Sequence, residues 1–195
     1  MTPCDLTKRE LVGILEVIEF AQSCSCSEQV KALLIKSMGI VEADHSACGT
    51  LRVEGAAPRE ITYIVNGNYP EDMFDHYLCS RLYLKDPLVR YHSNFSTTRL
   101  WSEIFEEIND ICARQVIDYA ADYGLRYGVS SSLYVPGTES VAIVSFAGAK
   151  NRFAARHKEI LDILAVHINK AVVRASPGPP EVMTPGPGHP EHSFV

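Results

Sequence analysis

The chain has 195 residues, 46% of them apolar, which suffices for one domain with a sizeable core and a tail. Its net charge of −6 and the lack of a long basic stripe argue against a protein that neutralises nucleic-acid phosphates. The N-terminus has no apolar signal run, and no apolar stretch approaches the ~20 residues that span a bilayer. A cytoplasmic protein with reduced cysteines is therefore expected, without a membrane partner.

In chain order, Thr7 to Gln22 reads as a helix. Thr7 and Glu10 fit a capping box, and Leu11, Ile14, Leu15 and Ile18 share a face. The six cysteines include Cys24 and Cys26 as a C-x-C pair. No second Cys or His pair stands at zinc-ligand spacing, so no metal and no cofactor are expected. A second helix is expected over about Glu28 to Met38, capped by Ser25 or Ser27. Ala43 to Val53 and the alternating Ile61, Tyr63 and Val65 read as strands, joined by a turn at Gly55 to Pro58.

Pro70 opens a third helix running to about Arg81. Asp86-Pro87 breaks the pattern and starts an irregular stretch to Arg99. A fourth helix is expected over Ser102 to Tyr123, with Gly124 at its C-terminus. Tyr127 to Val135 and Ser140 to Phe146 read as a hairpin turning at Pro136-Gly137. A last helix spans Ala154 to Arg174, with Ile160, Ile163, Leu164, His167 and Ile168 inward. Residues 1–175 read as one domain, and the Pro- and Gly-rich residues 176–195 as a disordered tail. The element order implies an antiparallel sheet with helices on both faces.

The segment from Tyr69 to Trp101 carries the functional signal. Tyr69, Met73 and Tyr77 are spaced i, i+4, i+8 and share a helix face, with Phe74 and His76 pointing elsewhere. Asp86 follows before a proline, and Trp101 is the single tryptophan. Two phenols, a carboxylate and an indole can line an apolar pocket that holds a small amphipathic ligand. Taken alone, a Tyr/Met stripe is also compatible with plain core, and an Asp-Pro pair with a turn or helix stop.

Asn68-Tyr69-Pro70, His76-Tyr77, Asp86-Pro87-Leu88-Val89, Trp101 and Tyr123-Gly124-Leu125-Arg126-Tyr127-Gly128, in that order and spacing, resemble the autoinducer-binding domain of the LuxR-type quorum-sensing regulators. The resemblance covers about residues 11–174. It implies an α-β-α sandwich with a central antiparallel sheet of about five strands, the fifth expected near residues 96–100. It implies that Asp86 accepts the ligand's amide N–H, that Tyr69 bonds the acyl carbonyl, that Tyr77 contacts the same end and that Trp101 packs on the lactone head. Gly128 matches a glycine that lets the backbone approach closely, and Pro87 belongs to the matched motif. Ser145 or Val144 matches a position that often carries a hydroxyl. At Met73 the family usually has a tryptophan whose indole bonds the lactone carbonyl, a bond methionine cannot make. A subgroup with methionine there is associated with plant-derived signals, but it usually also replaces the tyrosine matched by Tyr77.

The implied function is a sensor that binds an acyl-homoserine lactone or related signal as a homodimer, with no DNA-binding domain after Arg174 and no direct contact with nucleic acid. A second reading is an interaction protein that heterodimerises with a full-length regulator and silences it without ligand. A generic sensor of the PAS or GAF type shares the mixed pattern. An enzyme is not expected: Asp75, His76 and Cys79 crowd one turn, but adjacent helix positions diverge and no catalytic motif appears.

Overall fold

The computed structural model describes residues 6–177. Helices α1 (Lys8–Ser23) and α2 (Ser27–Val41) lead into strands β1 (His45–Glu54) and β2 (Ala57–Asn66). Helix α3 (Glu71–Cys79) and a short 3-10 turn (Leu82–Leu84) precede α4 (Pro87–His92), β3 (Thr98–Leu100), α5 (Trp101–Phe105) and α6 (Ile111–Asp122). The hairpin β4 (Tyr127–Tyr134) and β5 (Ser140–Gly148) and the long α7 (Ala155–Ala175) complete the order. The strands form one antiparallel sheet in the order β2-β1-β5-β4-β3.

Strand alternation sends successive side chains to opposite faces. On one face Cys48, Val129, Val144 and Phe146 join the inner residues of α1, α2 and α7 in the main core. On the other face Leu51 and Val141 pack with Tyr83, and Ala147 with Met73 and Trp101, under the helices α3 to α6. The expected α-β-α arrangement with five strands is thus present. The fifth strand is β3, paired through Leu100 and Val129, at the place anticipated. Arg174 of α7 donates to the carbonyls of Ala21 and Cys24, tying the last helix to the C-terminal end of α1.

Several local expectations need correction. The capping box holds: Thr7 N–H donates to Glu10 Oε2 at 2.7 Å, and Glu10 N–H to Thr7 Oγ1 at 3.3 Å. The buried face of α1, however, is Ile14, Val17 and Ala21, leaving Leu11 and Leu15 exposed. Apolar residues at 11, 12, 14, 15, 17 and 18 fit more than one stripe, and contact with α2 and α7 selects among them. Cys26, whose side chain makes no capping bond, occupies the N-cap of α2, and Ser25 bonds Gln29 through its N–H. On α7, Ile163 is exposed and His167 half-buried, while Leu161, Ala165 and Val172 turn inward.

The stretch from Asp86 to Arg99 is not irregular throughout. Asp86 accepts the Leu88 N–H and Pro87 stands at N1, so the pair starts α4. The expected fourth helix is two helices, interrupted over residues 106–110. Ala57 and Pro58 belong to β2, an edge strand where proline's missing donor is tolerated, so the turn is confined to Gly55 and Ala56, with Gly55 at φ +61°. The expected tail lies, from residue 178 on, outside the described residues, as does Cys4.

Candidate ligand cavity

Between the sheet and helices α3 to α6 lies a cavity of about 140 Å³. Tyr69, Met73, Tyr77, Asp86, Trp101 and Ser145 all stand on its wall. Helical spacing on α3 delivers Met73 and Tyr77. Tyr69, expected on the same helix face, precedes the helix and is delivered by the turn that Asn66 holds. The start of α4 delivers Asp86, the start of α5 delivers Trp101, and β5 delivers Ser145. The choice between positions 144 and 145 resolves by parity: Val144 packs in the core of the opposite face, and Ser145 faces the cavity. Phe74, expected to point away, is buried and lines the cavity as well; His76 is exposed and stacks with Tyr119.

Asp86 is the most constrained group. Its Oδ1 accepts the Leu88 N–H at 2.8 Å, and its Oδ2 accepts the Tyr77 phenol at 2.6 Å. Burial raises its carboxyl above the ordinary carboxylate range, opposed by the Tyr77 hydroxyl and by the N–H groups of Leu88 and Val89. The same burial, together with Asp86's charge, pushes the Tyr77 phenol well up. Tyr69 is held by reciprocal bonds to Asn66: its N–H donates to Asn66 Oδ1 at 2.7 Å, and Asn66 Nδ2 donates to its carbonyl at 3.0 Å. Burial raises the Tyr69 phenol too, with the Ser145 hydroxyl beside it opposing and Asp86 adding to the rise.

Trp101 is 4% exposed and lies flat against β4. A Cβ at Gly128 would sit 2.6 Å from Trp101 Cε2 and 2.5 Å from the Phe146 carbonyl oxygen, so only glycine fits there. Trp101 Nε1 and Ser145 Oγ are buried and make no hydrogen bond of acceptable geometry among the described residues. Such groups are costly unless something pairs them. Met73 is buried and offers no donor. The lining on β1, β2 and α4 is mainly apolar, including Leu51, Ile61, Ile64 and Val89, with Thr50 the polar residue among them.

The sequence reading missed Ser130, a fully buried β4 residue on the cavity wall. Its parity with Gly128 was the available signal: two residues apart on a strand, they share a face. Phe105 and Ile143 are further wall residues that carried no sequence signature, and Leu125, also on the wall, stood in the matched segment without a role of its own.

The sequence profile of the family described as "Autoinducer binding domain" matches residues 27–172, three quarters of the chain. The chain belongs to this family. The autoinducer-binding domain found here is of a signal-binding class, related to the LuxR-type sensors, and not of an enzyme class. A search of the curated proteins found no match. Among solved structures, it is similar to the N-acylhomoserine-lactone-dependent LuxR family factor CepR2 of Burkholderia cenocepacia. That match has 17% identity and a TM-score of 0.66, covering 86% of this chain and 99% of that one. SdiA, known from Escherichia coli, was solved in complex with octanoyl-rac-glycerol. It matches at 20% identity and a TM-score of 0.66, over 98% of this chain and 74% of that one. The phycocyanobilin-bound GAF domain of a cyanobacterial phytochrome matches at 11% identity and a TM-score of 0.52, over 87% and 97% of the two chains. At these identities the solved structures share a fold with the autoinducer-binding domain. The choice between it and a GAF domain rests on the profile match over residues 27–172.

Proposed function

We propose that this domain binds a small amphipathic signal, an N-acyl-homoserine lactone or a related amide, inside the cavity. The observation that carries this reading is the meeting of Tyr69, Tyr77, Asp86, Trp101 and Ser145 on the wall of one mainly apolar cavity. Asp86 accepts the ligand's amide N–H, a charge-assisted bond suited to a site closed to water. Tyr69 and Ser145 donate to the acyl carbonyl, Tyr77 orients Asp86, and Trp101 packs on the head group. The tail runs over the apolar wall of β1 and β2. In this reading the domain works in the cytoplasm as a homodimer or beside a full-length regulator. Its net charge of −6 leaves DNA contact to another domain or chain.

Asp86→Asn tests the assignment. Asparagine still caps α4, so the fold is retained, but the acceptor facing the ligand becomes a donor. Losing one charge-assisted bond costs about 1.5–3 kcal/mol. Calorimetric titration with octanoyl-homoserine lactone should show at least a tenfold weaker Kd, on the order of that cost. An unchanged Kd removes Asp86 from the site.

A further inference from the structure

His92 is fully buried in α4, between two serines of β4. Its Nδ1 lies 2.8 Å from Ser132 Oγ and its Nε2 2.8 Å from Ser130 Oγ. Ser132 Oγ also lies 2.8 Å from the carbonyl oxygen of Phe95. A carbonyl can only accept, so the one Ser132 proton is committed to Phe95. Ser132 must then accept from His92, and Nδ1 carries the imidazole proton. Burial keeps the ring neutral, its pKa pushed down to about 4. Nε2 is therefore a bare lone pair, and Ser130 donates its proton to it. The Ser130 oxygen is left with acceptor capacity only.

Ser130 and Ser145 are cross-strand partners on the cavity face. Such pairs hold their Cβ atoms about 5 Å apart. The two hydroxyls differ in polarity: Ser145 has a proton to give, toward the Tyr69 phenol beside it or toward a ligand, and Ser130 has none. Trp101 Nε1, also unpaired, stands on the same β4 side, where the indole packs on Gly128. The opposite side of the cavity, over β1 and β2, is mainly apolar, with Thr50 and the Tyr77 ring beside Leu51 and Ile61. A tail therefore points toward β2 and a polar head toward β4. There the head meets a donor, Trp101, and one obligate acceptor, Ser130, while Ser145 serves the acyl carbonyl.

We infer that this cavity selects amides whose polar head carries a hydroxyl, with Ser130 held as the acceptor of that hydroxyl's proton by the His92–Ser132–Phe95 chain. An alcohol oxygen gives its proton to Ser130 and can accept from Trp101 Nε1 at the same time. A plain lactone ring carries acceptors only, and would set its own lone pairs against those of Ser130. Met73, which offers the head no donor, is neutral to this choice. The inference deepens the ligand-binding reading above and rests on it.

The test uses the full chain and three probes with one acyl group: N-octanoylethanolamine, the fluoroethyl amide in which fluorine replaces that hydroxyl, and octanoyl-homoserine lactone. Fluorine nearly matches the hydroxyl in size but cannot donate. Calorimetry should give the alcohol about tenfold tighter binding than the fluoro compound, the scale of one buried hydrogen bond and its unpaired acceptor. In Ser130→Ala that preference should vanish, while the fluoro compound binds at least as well as before. Equal affinities of the alcohol and the fluoro compound in the wild type overturn the inference, whatever the variant does. So does a preference that survives Ser130→Ala. Binding of the lactone alongside such a result leaves the ligand-binding reading standing without the hydroxyl subsite. If none of the three probes binds, both fall together.

Discussion

His92 couples the cavity wall to the stability of the fold. Burial pushes its pKa from 6.5 to about 4. Because the folded value lies below the unfolded one, the unfolded chain takes up a proton first as the pH falls. Stability is thus complete above the unfolded value and is lost on acidification toward the folded one. The whole shift corresponds to roughly 3 kcal/mol. His157 and His167 are also lowered by burial, whereas Asp86, raised by burial, has the opposite sign. Comparison with His92→Gln removes these shared contributions. Urea unfolding should show the wild type losing roughly 2 kcal/mol more than the variant between about pH 7 and about pH 5. Parallel losses would show that the imidazole does not titrate on unfolding. At this scale the sequence was readable where spacing is the signal: i, i+4 placed Met73 and Tyr77 on one wall, and Tyr69 joins them from the turn before α3. It was not readable at Ser130 and His92, 38 positions apart, whose bond exists only because α4 lies against β4.

At the scale of elements, the capping box of α1 was legible, whereas the caps of α2 and α4 and the phase of the helices were not. A side chain bonding its neighbour's N–H is a local event, so the Thr7 box could be read directly. Which apolar stripe of α1 turns inward depends on α2 and α7, which a local pattern does not contain. The break between α5 and α6 is an intermediate case. Ile104, Ile108 and Ile111 maintain a helical spacing, but the last turn of α5 tightens through the bonds Glu107 N–H to Ile104 and Ile108 N–H to Phe105. Asp110 then caps α6, accepting the Cys112 N–H at 2.9 Å and pairing with Arg90 at 3.0 Å. The break lets α5 place Trp101 on β4 while α6 closes the cavity with Val116, Ile117 and Ala120. Asp110→Ala should cost about 1 kcal/mol through the lost cap, the exposed ion pair adding little. Asp110→Asn should retain most of that stability, since it keeps the cap and loses only the charge. Equal losses in the two variants by urea denaturation would assign the effect to the ion pair instead.

At the scale of the whole molecule, the helical layer opposite the cavity leaves apolar side chains in water. On α1 these are Leu11, Val12 and Leu15, the last 65% exposed; on α7 they are Ile163, 39% exposed, and Val166. Val172, further along α7, is buried in the core. Single exposed apolar residues need no explanation, but several on two helices that pack together, α1 and α7, form a candidate contact. A closed pair of identical chains can bury such a patch against itself, since a twofold axis makes one surface serve both sides. The expected state is a homodimer through the α1–α7 layer. Leu15→Lys is the discriminating variant. The side chain makes little contact within its own protomer, so folding stability should change by no more than about 0.5 kcal/mol, while a buried lysine across the axis would oppose its own copy. Light scattering at micromolar concentration should give a dimer mass for the wild type and a monomer mass for the variant, with superimposable thermal unfolding at low concentration. Ile111, 73% exposed on the cavity side, provides the control: Ile111→Lys should remain dimeric. A monomeric wild type would leave the patch without this partner. A dimer that survives Leu15→Lys but not Ile111→Lys would move the axis to the cavity side, where ligand and partner would compete for the same helices.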